Sequence, residues 1–129
     1  MVQVKIYALK RLLRENRLAL SDTIHSCVVD ILKIPENKRF HRFLGLNSCD
    51  FVFPSEKSRR YVILEISLFS GRSLGVKREL LRVLMDRISV NCSIPINDIE
   101  ITLFETPPSC WGIRGQFGDE LILPYMIDS

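Results

Sequence analysis

The stretches Ile34-Pro35-Glu36-Asn37 and Ile94-Pro95-Ile96-Asn97 repeat one pattern, Ile-Pro-x-Asn, at a distance of 60 positions in a chain of 129 residues. Shifting the sequence by the same distance superposes further apolar residues. Three of these pairs lie at helical spacing: Leu20 on Leu80, Ile24 on Leu84, and Val28 on Ile88. Residues spaced i, i+4 and i+8 share one face of a helix. The chain is therefore predicted to use one order of elements twice.

Each copy of the repeat reads as a strand, a helix and a second strand. Strands are predicted where apolar residues alternate with polar ones or form a nearly continuous run. They cover residues 2–8, 61–69 and 99–103, with 40–46 assigned by its alignment on 100–106. Helices are predicted from about residue 13 to 33 and from 74 to 93. Ser73 is the predicted N-cap of the second helix, and Pro35 and Pro95 follow the helix ends.

These elements define a fold class. A strand–helix–strand unit of this length makes a right-handed parallel crossover. Two such units predict an α+β fold, in which a four-stranded mixed sheet carries both helices on one face and is followed by a C-terminal hairpin and tail. We expect one domain over residues 1–129, with repeat 1 at about 2–46, repeat 2 at about 62–106, and the hairpin and tail at 107–129.

The rest of the chain points to contacts between subunits. The run 61–69 is apolar on both sides, so we expect other subunits to cover the second face of the sheet and the protein to be a homo-oligomer. Residues 109–118 combine three glycines with Trp and Phe and are predicted to form a tight hairpin lying on another surface. The apolar tail 121–127 is expected to dock onto a neighbouring subunit.

The composition is that of one compact globular domain, with 47% hydrophobic and 26% charged residues. It excludes disordered, collagen-like and coiled-coil proteins. The longest stretch without a charged residue, 88–97, is too short to cross a bilayer. The N-terminus alternates like a strand and lacks the apolar block of a signal peptide. We therefore expect a cytoplasmic protein that does not associate with membranes.

The formal net charge of +3 is only mildly basic. Nucleic-acid-binding proteins usually carry a strong basic stripe, so no nucleic-acid partner is expected. The one dense cluster, Lys10, Arg11 and Arg14, is interpreted as a solvated helix start. The four cysteines lack the spacing of zinc ligands with His25 or His41, so no metal is expected. The cysteines are interpreted as reduced core residues.

Three stretches carry a resemblance to a known family: 34–40 (Ile-Pro-Glu-Asn-Lys-Arg-Phe), 68–73 (Leu-Phe-Ser-Gly-Arg-Ser) and 111–115 (Trp-Gly-Ile-Arg-Gly). With the twin strand–helix–strand units, they resemble the tautomerase superfamily. This superfamily includes 4-oxalocrotonate tautomerase, malonate semialdehyde decarboxylase and macrophage migration inhibitory factor. The resemblance spans about residues 2–118 and is closest to long, internally duplicated members such as the decarboxylase.

The resemblance implies a homotrimer with active sites between subunits and without a cofactor. The catalytic group of the family is an amino-terminal proline, whose amine acts as a base or an acid in an apolar pocket. Val2 stands at the position of that proline, so the N-terminal amine of Val2 or Met1 would take its role. Arg72 matches a family arginine that binds substrate carboxylates, because a guanidinium group fits two carboxylate oxygens.

Five further residues are candidates for the substrate pocket, three of them through the same resemblance. Lys38 stands where the decarboxylase places a water-activating acid, and would add a cation for an acidic ligand. Trp111 and Ile113 match hairpin residues that wall the pocket. Arg39 and Arg114 are candidates for additional cations.

Two functions therefore remain open at this point. The first is an enzyme of the superfamily, such as a keto–enol isomerase, that acts on a small α-keto or enol carboxylic acid. The second is a non-catalytic trimer on the same scaffold, which binds a small anion or serves as an interaction protein.

Overall fold

The computed structural model describes residues 1–122. These residues form two α-helices, α1 (Lys10–Leu32) and α2 (Leu74–Cys92). The strands of the main sheet are β1 (Val2–Leu9), β2 (His41–Leu46), β3 (Val62–Phe69) and β4 (Ile99–Thr106). Two short strands, β5 (Gly112–Ile113) and β6 (Gln116–Phe117), pair antiparallel after it. The expected docking of the tail falls mostly on residues outside the described range.

The four main strands are arranged in the order β2-β1-β3-β4. The pairs β1–β2 and β3–β4 are parallel, and β1 and β3 run antiparallel at the centre. Each strand–helix–strand unit thus makes a parallel crossover, and the antiparallel contact between the units makes the sheet mixed. The predicted α+β fold, with its C-terminal hairpin, is confirmed.

The duplication is visible in the backbone as well as in the sequence. Strand β3 begins and ends 60 residues after β1. Lys33 and Ser93, which follow the two helices, both adopt the left-handed conformation, with φ of 60° and 54°. The helix residues that the repeat aligns are fully or almost fully buried: Leu20, Ile24, Val28, Leu80, Leu84 and Ile88. They belong to one hydrophobic core with alternate residues of the strands, such as Ile6 and Ile66.

The two repeats differ where the first strand passes into the helix. Helix α1 begins at Lys10, three residues earlier than predicted, because the chain passes from Leu9 directly into a helical turn that buries Leu12 and Leu13. Helix α2 begins at Leu74 as predicted. The Ser73 hydroxyl accepts a hydrogen bond of 3.2 Å from the Val76 N–H, which confirms Ser73 as the N-cap.

The second face of the sheet is half-buried on the central strands β1 and β3, mostly exposed on β2 and β4, and mixed in polarity. On β3, Ile63 alternates with the helix-facing residues but is followed on its own face by Glu65 and Ser67. The Tyr7 hydroxyl on β1 donates a 2.7 Å hydrogen bond to Oε1 of Glu65. The expectation that β3 is apolar on both sides is therefore wrong, because a polar network occupies the middle of this face.

Only two of the four cysteines are core residues, although all four were expected to be. Cys27 and Cys92 are buried in the core, whereas Cys49 and Cys110 are exposed on loops, and all four are free. Within residues 1–122, neither helix is long and apolar enough to cross a bilayer.

A core substitution tests how the helices are held to the sheet. Leu20 is fully buried, while Leu18 on the same helix is 80% exposed. Leu20→Ala is expected to lower the free energy of unfolding by about 2–5 kcal/mol, because it removes buried methyl groups and leaves a cavity. Leu18→Ala, the matched control, should change it by about 0.5 kcal/mol or less. Urea denaturation measures both, and equal effects would contradict this packing.

Candidate functional site

The antiparallel pairing of β1 with β3 brings several chain segments to one edge of the sheet. Val2, at the start of β1, lies opposite Leu68, near the end of β3. Phe69 in turn pairs with Thr106, the last residue of β4. The N-terminus, the loop before α2 and the segment that follows β4 therefore meet here, and we call this region the amine edge.

The N-terminal amine of Met1 is enclosed at this edge. Met1 is only 8% exposed. Burial lowers the pKa of its amine from the ordinary value of 8.0 to about 5, and the positive charges of Arg72 and then Arg114 act in the same direction. Removing an ammonium group from water disfavours the charged form, and a neighbouring cation disfavours it further. An amine with this pKa is uncharged at neutral pH.

Arg72 is placed by the turn that joins β3 to α2. Gly71 adopts a φ of 133°, which side-chain-bearing residues rarely adopt, and thereby redirects the chain. Arg72 follows it and is 5% exposed. Its Nη1 donates a 3.2 Å hydrogen bond to the carbonyl oxygen of Phe69. A buried guanidinium group so held is a preorganised positive charge beside the amine.

The hairpin β5–β6 supplies the second arginine. Arg114 and Gly115 form its two-residue turn, with φ of 52° and 74°. Positive φ at both central positions matches a right-twisted hairpin. This turn brings Arg114, which is exposed, close enough to the Met1 amine to lower its pKa. The hairpin thus carries the long side chain of Arg114 to the amine edge, while the neighbouring Ile113 is half-buried.

Trp111 anchors the hairpin to the sheet. Its ring packs edge-on against Phe69, with ring centroids 5.2 Å apart. Its indole Nε1–H donates a 2.7 Å hydrogen bond to Oγ1 of Thr106. An aromatic ring that packs on one side and bonds at its polar atom is well fixed. The hairpin predicted to lie on another surface therefore lies on the end of its own sheet.

The remaining predicted cations precede β2. The Val4 N–H donates to the Phe40 carbonyl oxygen at 2.9 Å, which ties this segment to the first residues of β1. Lys38 is half-buried in the turn after Pro35. Arg39 instead forms a 2.6 Å ion pair with Asp22 of α1. Arg39 is thus engaged by the helix, and its charge is largely compensated.

A histidine cluster that the sequence did not single out lies next to this segment. His41 Nδ1 is 2.8 Å from the Ser21 hydroxyl oxygen. Burial, and then His25 and Arg39, lower the pKa of His41 to about 4. The other histidine, His25, is buried, with Nε2 2.7 Å from the Glu36 carbonyl oxygen. The chain contains only these two histidines. Their small number was the only feature of the sequence that could have drawn attention to this cluster.

The chemistry of the amine edge is that of a base beside cations. An uncharged amine accepts a proton or attacks a carbonyl carbon. Two nearby guanidinium groups favour an anionic partner. Among residues 1–122, His, Cys, Asp and Glu side chains do not gather in a group of three that could hold a metal ion.

A family model described as "Tautomerase enzyme" matches residues 38–114, which is more than half of the chain. The chain therefore belongs to the tautomerase family. The matched range contains Arg72, Trp111 and Arg114, whereas Met1 and Val2 precede it.

Solved structures agree with this assignment at the level of the fold. A malonate semialdehyde decarboxylase is 21% identical, with a TM-score of 0.80 over 92% of this chain and 99% of that chain. A fused 4-OT trimer is 17% identical, with a TM-score of 0.81 over 91% and 96%. A member of the cis-3-chloroacrylic acid dehalogenase family is 18% identical, with a TM-score of 0.78 over 89% and 82%. At these identities the likeness shows a shared fold.

The close packing at Gly118 provides a test of the hairpin. A Cβ atom on Gly118 would overlap the Pro108 carbonyl oxygen and lie 2.9 Å from Trp111 Cβ. Gly118→Ala must therefore shift the segment that runs from Pro108 to Trp111, and we expect a lower melting temperature and red-shifted fluorescence of the only tryptophan. At Gly112 an added Cβ meets nothing within 4 Å, so Gly112→Ala is the matched control. A native emission spectrum in Gly118→Ala would contradict this packing.

Proposed function

We propose that this protein is an enzyme that moves a proton between carbon and oxygen of a small α-keto or enol carboxylic acid. The Met1 amine is the proton carrier, and Arg72 and Arg114 bind the substrate carboxylate. The observation that carries the proposal is the burial of Met1, whose amine pKa is lowered by this burial and by the positive charges of Arg72 and Arg114.

The proposed reaction starts from the uncharged amine. In ketonisation the nitrogen takes the proton of the enol hydroxyl, and the electrons of the O–H bond form the carbonyl group. The carbon–carbon double bond then takes the proton back from the ammonium group at its far carbon. The amine is regenerated, so no co-reactant is consumed. The two guanidinium groups stabilise the negative charge that develops on the enolate.

Trp111 and Ile113 complete the proposed pocket. Trp111 is held against Phe69 and Thr106, so its ring forms a fixed wall. Excluding water keeps the amine uncharged and strengthens its interaction with the bound carboxylate. Lys38 is proposed as a further cation for an acidic substrate, and Arg39 as one that acts only if its ion pair with Asp22 opens.

Val2 is the alternative source of the amine. If Met1 is removed in the cell, the amine of Val2 becomes the N-terminus. Val2 is 4% exposed and paired with Leu68, so its amine would lie one residue deeper at the same edge. Intact mass shows which of the two amines a given preparation carries.

We also propose that the protein forms a homotrimer. Wild-type fused 4-OT proteins with this fold are trimers, both asymmetric and symmetric. The second face of the sheet offers a surface for such contacts, because Leu44 on β2 and Phe104 on β4 are exposed there. A non-catalytic trimer that binds a small anion in the same pocket is the alternative function.

Turnover measurements decide between the two functions. The untagged protein, shown to be a trimer by analytical ultracentrifugation, should ketonise small enol acids such as phenylenolpyruvate. Arg72→Ala is expected to lower kcat/KM by about tenfold or more, because a charge that stabilises the transition state is lost. Arg114→Ala, at an exposed site, should lower it without affecting folding. Arg82→Ala, on the exposed side of α2, is the control.

Two outcomes would contradict the proposal that this protein is an enzyme. Background rates in the native trimer would leave the anion-binding alternative, which equilibrium dialysis with pyruvate would then test. An equal loss of kcat/KM in Arg82→Ala would mean that the rate depends on the overall positive charge of the protein and not on Arg72 and Arg114.

Treatment with 2-oxo-3-pentynoate, the reagent that inactivates one structural relative, should modify the N-terminal peptide if the amine is reactive.

The pH dependence tests the amine itself. Because its pKa is lowered to about 5, kcat/KM should be constant near neutral pH and fall as the pH decreases through about 5, where the amine gains a proton. Arg114→Ala removes a nearby positive charge, so this pKa should rise towards 8.0 and the fall should begin at higher pH.

The rate of Met1 modification by an amine-reactive reagent follows the same titration without requiring turnover. A native amine that titrates near 8.0 would contradict its burial between the two arginines.

A further inference from the structure

A cavity lies at the end of the sheet opposite to the amine edge. Its volume is about 520 Å³, which is within the range of small-ligand sites. It is bordered by Leu9 and Leu46, where β1 and β2 end. Five basic side chains line it: Lys10, Arg11, Arg14, Arg59 and Arg60. We call this cavity the basic cavity.

The internal duplication relates the basic cavity to the amine edge. Shifting the chain by 60 residues places residues 9–12 on 69–72, and Tyr61 on Met1. The two sites are therefore at corresponding places in the two repeats. The chemistry differs, because Tyr61 lies inside the chain and its peptide N–H donates to the Ser58 carbonyl oxygen at 3.1 Å. A peptide nitrogen is not a base, so the second site is suited to binding and not to proton transfer.

The charges around the basic cavity are poorly balanced. Among its described lining residues Glu15 is the single carboxylate, giving a formal net charge of +4, whereas the whole chain carries +3. Glu15 contacts the exposed Arg11 at 3.6 Å. The first turn of α1 contains no acidic residue that could offset Lys10 and Arg11. Like charges concentrated in this way repel one another, and a bound anion relieves that repulsion.

One of the five cations is held rigidly. Arg60 donates from Nε to the Ser93 carbonyl oxygen at 2.8 Å and from Nη2 to the Cys92 carbonyl oxygen at 2.7 Å. These bonds fix the guanidinium group at the end of α2. A fixed cation binds an anion at a lower cost in side-chain entropy than a free arginine does.

The positive surface continues beyond this cavity. A neighbouring cavity of about 360 Å³ shares Lys10 and Arg14 and adds Arg17. The ligand that fits must therefore carry more than one negative charge and reach several cations at once. Phosphate oxygens meet this need, because guanidinium groups bind them in pairs and lysine binds them as a point charge.

We propose that the basic cavity is a second, non-catalytic site that binds a soluble ligand bearing a diphosphate group. Two adjacent phosphates span Arg14 and Arg59, and the fixed Arg60 contacts one of them. A single carboxylate, as proposed for the amine edge, would neutralise too little of this charge. The Lys10, Arg11 and Arg14 cluster, interpreted from sequence as a solvated helix start, thereby acquires a function.

Isothermal titration calorimetry of the full chain with inorganic pyrophosphate tests this site. Arg14→Gln and Arg59→Gln should each weaken binding about fivefold or more, because each removes a charge-assisted contact. Arg82→Gln, an exposed arginine outside the cavity, is the matched control. Glu15→Gln should bind about twofold or more tightly, since it removes the one carboxylate among the described residues that line the cavity. All four residues are exposed, so the variants should fold normally.

Several outcomes would overturn the proposal. Binding that does not saturate, or that Arg82→Gln weakens equally, would show only general attraction to a basic surface. Loss of binding in Arg72→Ala but not in Arg14→Gln would place pyrophosphate at the amine edge. A parallel titration with ADP identifies the source of the diphosphate. Tighter binding of ADP supports a nucleotide that also contacts Leu9 and Leu46, and equal binding supports the free diphosphate.

Discussion

The antiparallel contact between β1 and β3 is the constraint on which the rest of the molecule depends. It joins two parallel strand–helix–strand units into one sheet and places Val2 opposite Leu68. Because the strands run in opposite directions, the start of the chain meets the end of β3. The N-terminal amine consequently lies beside the turn that carries Arg72, although Met1 and Arg72 are 71 positions apart in sequence. The same contact places the end of β1 next to the start of β3, where the basic cavity lies.

The state of the amine follows from two physical effects at the amine edge. Burial of Met1 raises the free energy of its charged form, and the positive charges of Arg72 and Arg114 raise it further. Neither effect needs a proline. What the edge requires is a buried N-terminus near positive charges, and the hairpin that Trp111 anchors on Phe69 supplies one of these charges, Arg114. A primary amine can therefore be uncharged at neutral pH in this family member, which gives chemical support to the proposed proton transfer.

The duplicated fold places two positively charged sites at opposite ends of the strands of one sheet. The two sites differ in the chemical groups that the sequence supplies to them. At the amine edge a chain terminus supplies the base. At the corresponding place in the other repeat the chain is continuous, so only binding is possible. The extra helical turn from Lys10 adds basic side chains at the basic cavity, whereas the loop through Gly71 gives the amine edge its single buried arginine.

Most of the fold was determined by the sequence itself. The 60-residue repeat predicted the element order, and the aligned apolar residues Leu20 and Leu80 are both buried. Periodicity has this power because a helix or strand must bury one face whatever its partner is. Local signals at helix ends were also sufficient, as the cap at Ser73 shows. The early start of α1 was missed because Leu12 and Leu13 are buried only through contacts that arise after folding.

Only the tertiary structure decided the environment of the candidate site. Arg39 and Arg114 are both arginines near a predicted strand, yet Arg39 is paired with Asp22 and Arg114 acts on the Met1 amine. The polar network of Tyr7 and Glu65 was likewise hidden, because hydropathy treats each residue separately and does not reveal its partner. Pairing, burial and pKa depend on distances between residues far apart in the chain. A sequence pattern reports which groups are present, and the fold decides which of them meet.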